Sequence, residues 1–66
     1  MFAIADCRHT VPSYLRNVGA DEKGYVTVSL SDAIIFKSRR EANAVFEKIK
    51  RDGMFEFGIY ELGVIR

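Results

Sequence analysis

Asp6, Cys7 and His9 bring a carboxylate, a thiol and an imidazole close together in the chain, the groups from which nucleophilic and metal sites are built. On an extended backbone Cys7 and His9, two positions apart, share a face at about 7 Å. That is half of a four-ligand zinc site. No second half exists, because Cys7 is the only cysteine and His9 the only histidine. A cysteine nucleophile also needs a lowered pKa and an oxyanion pocket, and no motif supplies them. The expectation is a buried strand-end cysteine followed by a loop histidine, with no catalytic residue, no metal ligand set and no cofactor. A phosphate loop is not indicated either: Gly19 and Gly24 flank Asp21 and Glu22, whose charge repels phosphate.

Two other groups of side chains carry the chemistry of recognition. Between Lys37 and Arg51 stand six basic residues against two acidic ones, a balance of +4 in a chain of net +1, which leaves −3 elsewhere. On a helix at 100° per residue, Arg40, Glu47 and Arg51 fall on one side, with Arg39 and Lys50 on one flank and Lys48 on the other. Glu47 can pair with Arg51 at i, i+4 and partly neutralise the row. Such a face suits an acidic protein surface. Nucleic acid is the alternative, although binders of that class carry a larger positive excess or exposed aromatics among the basic residues. The second group is aromatic. Tyr14, Tyr25 and Tyr60 are amphipathic side chains of the type enriched at interfaces, and Tyr25, with Tyr14 beside it, is expected to point away from the helix. Val64 and Ile65, near the end of the chain, suit pairing with the sheet edge of a second copy. The candidate protein-binding residues are thus Arg39, Arg40, Glu47, Lys48, Arg51, Tyr14, Tyr25, Val64 and Ile65.

Several elements must position these groups. Ser38 to Gly53 reads as a helix over about 39–51 with both ends written in. Ser38 caps the first amides, Glu41 reaches back in a capping box, Ala42, Val45, Phe46 and Ile49 form one apolar stripe, and Gly53 is the stop. Phe2 to Cys7 reads as a central strand, small on the face of Ala3 and Ala5. Residues 12–18 admit a short helix opened by Pro12 or the first arm of a hairpin. The hairpin is preferred because Tyr25 to Leu30 alternates as a return strand, with Val26, Val28 and Leu30 on one face. Ser31-Asp32-Ala33 reads as one helical turn, and Ile34, Ile35 and Phe36 as a core plug. In the last strand Gly58 is read as a bulge, after which Tyr60 and Leu62 take the apolar role and Glu61 turns out. The order β-β-β-α-β predicts an α+β fold: a three- or four-stranded, mostly antiparallel sheet with one amphipathic helix on one face.

Composition bounds the class. A chain of 66 residues is expected to form one small domain over 1–66, with 48% apolar and 29% charged residues, the balance of a folded chain rather than a disordered one. Its apolar runs are far too short for a membrane span or a signal-peptide core. A single thiol without a secretion signal implies a cytoplasmic location. A chain this small buries only ~60% of its unfolded surface, so self-association is an expected aid to stability.

The stretch Leu30 to Ala42 resembles a cassette of small uncharacterised proteins encoded by phages and other mobile elements. Those proteins show Ala, Phe three residues on, Ser, and then Glu-Ala opening a helix, usually after a Tyr-Leu/Val hairpin. Ala33, Phe36, Ser38, Glu41 and Ala42 fill those positions, and Tyr14-Leu15 and Tyr25-Val26 resemble the hairpin. The resemblance implies a protein that modulates or inhibits a larger host or rival protein. The expected function is therefore a small non-enzymatic binding protein that occludes a surface on that partner. The alternative is a nucleic-acid-binding accessory factor using the basic helix face.

Overall fold

The computed structural model describes residues 1–50, 53 and 55–63, so Arg51, Val64 and Ile65 lie outside the described residues. Four strands, β1 (Phe2–Asp6), β2 (Ser13–Val18), β3 (Gly24–Thr27) and β4 (Gly58–Glu61), and one helix, α1 (Arg39–Ile49), follow in the order β-β-β-α-β. The sheet is fully antiparallel with strand order β3-β2-β1-β4. A meander makes the first three strands, and the helix carries the chain back across the sheet to lay β4 beside β1. The α+β architecture expected from the sequence is the one observed. Within residues 12–18 the chain forms a strand, Ser13–Val18, and not a helix.

Helix α1 packs over β1 and β4. Ala42 and Ile49 are fully buried, and Val45 and Phe46 pack on the core formed with Ile4, Leu15 and Phe36. Ser38 Oγ accepts the Glu41 amide at 3.2 Å, as its type and place require. Glu41 departs from the capping box: its carboxylate takes the Lys37 amide, one residue before the cap. The helix ends at Lys50, which is its C-cap, three residues short of Gly53.

Three details depart from the sequence pattern, each for a steric reason. First, β3 stops at Thr27 and Val28 is 68% exposed, because the chain leaves the sheet there to enter a 3-10 turn at Leu30–Asp32. Leu30, expected inside, is also exposed. Second, the pairing of β4 with β1 runs without interruption from Gly58 opposite Ala5 to Glu61 opposite Phe2, so Gly58 carries no bulge. Ile59 therefore faces the helix, Tyr60 the far side, and Glu61 reaches solvent at the rim. Third, the bulge sits in β2 between Leu15 and Asn17. Inserting Arg16 there turns Leu15 and Val18 to the same face despite their spacing of three, and both pack on the core.

The plug segment acts through its backbone as much as its side chains. Phe36 exchanges both main-chain hydrogen bonds with Phe2, at 2.9 and 2.8 Å, and the Ile34 amide donates to the Leu15 carbonyl at 3.0 Å. It occupies the opening where β2 diverges from β1 beyond Ala5. Ile34 and Phe36 point inward, whereas Ile35, expected in the core, is exposed.

Candidate functional site

The molecule is only 17 Å across in its thinnest direction. That is room for a sheet and one helix layer at the usual spacing of about 10 Å, and among the described residues no helix lies on the other sheet face. Register defines what lies on that bare face. Ala3 is opposite Tyr60, Ala5 is opposite Tyr14 and Gly58, Tyr14 is opposite Thr27, and Asn17 is opposite Tyr25. The methyls of Ala3 and Ala5 are 1% exposed, so on this face the tyrosines, with Tyr60 and Tyr14 directly beside them, and not the alanines present the surface. Tyr25 and Tyr60 are 52% and 44% exposed, and Tyr14 is half-buried. Two glycines allow the rings to lie down: a Cβ at Gly19 would stand 2.7 Å from the Tyr25 ring, and one at Gly58 would stand 3.3 Å from the ring of Tyr60. The product is a shallow apolar trough with phenol rims, the mixed character that protein contact surfaces favour.

Tyr14 and Tyr25 are thus brought together on one surface. Tyr60, absent from the expected binding residues because it was assigned to the core, joins them. Its position follows from the strict alternation of β4 once no bulge intervenes.

The basic residues occupy the opposite side of the molecule. Arg40 and Lys48 are exposed, and the Arg39 guanidinium lies 5.2 Å from the centre of the Phe2 ring, within cation–π range. Glu47 pairs with Lys50 at i, i+3, and its expected partner Arg51 lies outside the described residues. Exposed pairs of this kind contribute little to stability. The helix row and the tyrosine trough therefore cannot contact one flat partner surface together.

At the end of the sheet where β1 finishes and β4 begins, Cys7, Arg8, Glu56, Phe57, Gly58 and Tyr60 line an open cleft of about 370 Å³. Cys7 corrects expectation: its thiol is exposed. The wall of the cleft is an ionic knot. Asp6, 1% exposed at the end of β1, accepts the Arg8 amide at 3.0 Å, the Arg8 guanidinium through Nε and Nη2 at 2.7 to 3.1 Å, and the Glu56 amide at 3.2 Å. Arg8 Nε also lies 3.8 Å from the exposed Glu56 carboxylate.

These contacts move three titrations away from neutrality. Hydrogen bonds from the Arg8 side chain, then from the Arg8 and Glu56 amides, hold the Asp6 carboxyl far below its ordinary 3.8 against the opposing effect of burial. The same bond from Asp6 raises Arg8. The Tyr60 hydroxyl is raised, chiefly by the neighbouring Cys7 thiol. Acid–base catalysis asks for groups drawn toward the working pH, and each of these is pushed outward. Among the described residues no group of three or more His, Cys, Asp or Glu is arranged to hold a metal ion.

Comparison with protein-family models, curated proteins and solved structures finds no match for the chain. The site therefore rests on its own geometry. Among the described residues, no helix is long and apolar enough to cross a membrane.

Proposed function

We propose that this chain is a small non-enzymatic binding protein that docks through its bare sheet face on a larger protein and acts by covering a surface there. The observation that carries this reading is the aromatic surface itself: Tyr14, Tyr25 and Tyr60 share the face without a helix, and Tyr25 and Tyr60 are about half exposed. Exposed tyrosines supply large, amphipathic contact area, and tyrosine loses little rotamer freedom when it is buried by a partner. The resemblance of residues 30–42 to phage and mobile-element proteins adds a role for the binding, as modulation or inhibition in the cytoplasm of a host cell. The cleft at Cys7 argues weakly for an enzyme, because its arginine is tied to Asp6 and the shifted groups beside it are locked in the forms they hold at neutral pH.

The test is capture from host lysate on the immobilised protein, with and without nuclease, using wild type, Tyr14→Ala, Tyr25→Ala and an Arg40→Glu/Lys48→Glu double variant. The expected result is a stoichiometric protein band that survives nuclease and the charge reversal. Truncating one rim tyrosine should weaken it by about 2 kcal/mol, or ~30-fold. A band that vanishes with nuclease, or with the helix charges but not the tyrosines, replaces this reading with the nucleic-acid one.

A further inference from the structure

The sheet has two edges, and they are not alike. Leu62 donates its amide to the Met1 carbonyl at 2.7 Å, which fixes the phase of the β4–β1 ladder. In an antiparallel pair the two main-chain groups of a residue point the same way and alternate along the strand. Tyr60 opposite Ala3 and Gly58 opposite Ala5 therefore bond to β1, as Leu62 does. Phe2, which exchanges both bonds with Phe36 on the other side of β1, obeys the same phase. It follows that Ile59 and Glu61 turn their amides and carbonyls outward, away from the sheet. Gly58–Glu61 contains no proline, lysine or bulge, the devices that close an edge, and its one charge is Glu61. The β3 edge, by contrast, lies beside the β2 bulge, which twists it.

We propose that β4 is the contact edge of a two-fold dimer, in which the β4 strands of two copies pair antiparallel about Tyr60 to make one eight-stranded sheet. The occupant is a second copy because of where the core lies. Helix α1 packs on β1 and on the edge strand itself, so half-buried Ile59 is the last layer of a core that ends at that edge. Among the described residues three of the seven buried apolar residues are alanines, so one copy has little core to spare. An isologous contact joins two such cores at their open sides and pairs identical outward groups, which closes the assembly at two.

Register follows from the same alternation. Hydrogen-bonded pairs must join outward-facing residues. Centring on Glu61 sets two carboxylates directly opposite, which is destabilising. Centring on Ile59 requires Phe57, which is outside the strand. Centring on Tyr60 pairs Ile59 with the partner's Glu61 twice. It also brings the two Tyr60 together as a non-hydrogen-bonded pair with Cα atoms about 4.5 Å apart, the closest cross-strand position for aromatics. The assembly does not depend on what the tyrosine face binds.

Sedimentation of the purified chain from about 1 μM to about 1 mM tests this, with dimer mass expected at the upper end and dissociation on dilution. Glu61→Pro deletes an outward amide and leaves the β1 ladder intact, so dimerisation should weaken at least about tenfold for the two symmetry-related bonds lost, with circular dichroism unchanged. Tyr60→Cys in a Cys7→Ser background should cross-link between copies on oxidation, since that Cα spacing suits a disulfide, whereas Ile59→Cys in the same background should not. A wild type that stays monomeric throughout overturns the proposal, including one that takes up a foreign strand instead. So does a dimer that persists in Glu61→Pro while Tyr60→Cys fails to cross-link. Should Glu61→Pro not fold, the cross-linking pair decides alone.

Discussion

Asp6 is the residue on which the sheet end depends. Its carboxylate gathers the chain before β4 and the loop after β1 by accepting from the Arg8 side chain and from the amides of Arg8 and Glu56. Asp6→Ala leaves those donors without their acceptor, and thermal melts at neutral pH should show a larger loss than removal of the exposed Ser38 cap. The pH dependence has a definite sign. The folded pKa is depressed below 3.8, so the contribution of Asp6 is complete above that unfolded value and is lost as pH falls through it toward the lower folded value. Urea titrations should therefore show stability falling steeply below about pH 4, and the slope should be shallower in Asp6→Asn. A second residue works against the fold. Glu22 holds φ at 61° in the β2–β3 connector, where the Glu22 amide closes a turn on the Gly19 carbonyl at 3.0 Å. That left-handed conformation disfavours any Cβ by roughly 1–2 kcal/mol, against which glycine loses more chain entropy. Glu22→Gly should stabilise the protein by up to about 1 kcal/mol in the same titrations.

Among the elements, the helix was the most legible in the sequence, and its energetics can be separated into cap and stripe. Ser38→Ala removes one accepted amide at the surface and should lower stability by about 1 kcal/mol. Ile49→Ala empties a fully buried position and should lower it by 2–5 kcal/mol, as denaturant midpoints will show. Against a total of roughly 3–10 kcal/mol for a chain of this length, the second loss leaves little of the fold. The stripe and cap were readable because they are local: spacing and residue type decide them within a few turns. The strands were readable in existence but not in phase. Leu15 and Val18, three apart, fit one face only with an extra residue between them, and the sequence holds that hint in β2 while the more conspicuous Gly58 suggests a bulge in β4. Gly58 serves instead as space for the ring of Tyr60. Val28 and Leu30 alternate as strand residues should, yet the chain leaves the sheet first, because the plug at Ile34 and Phe36 must reach Leu15 and Phe2. The trough was half legible: Tyr14 and Tyr25 follow from alternation, whereas Tyr60 and the cleft at Cys7 depend on strand pairing that no local pattern records.

At the scale of the molecule, charge and aromatic surface are segregated. The excess of positive charge in the chain lies in and around α1, and the tyrosine trough is on the other side of the sheet. This arrangement separates two modes of binding by their response to salt. Contact through the trough buries tyrosines, so its free energy is mostly apolar and aromatic, and the helix charges face away from the partner. Added salt then reaches only the long-range field, which governs the encounter rate more than the affinity. Contact through the helix with a polyanion releases counterions, and the affinity falls as a power of salt set by the phosphates neutralised. Four helix cations, Arg39, Arg40, Lys48 and Lys50, engaged with a nucleic acid would lower affinity by roughly 50–150-fold between 50 and 200 mM salt. Titration calorimetry with the captured partner over that range should show a change below about threefold if the sheet face binds, with the association rate falling instead. A steep power-law loss would assign the contact to the helix and leave the tyrosine trough without a ligand.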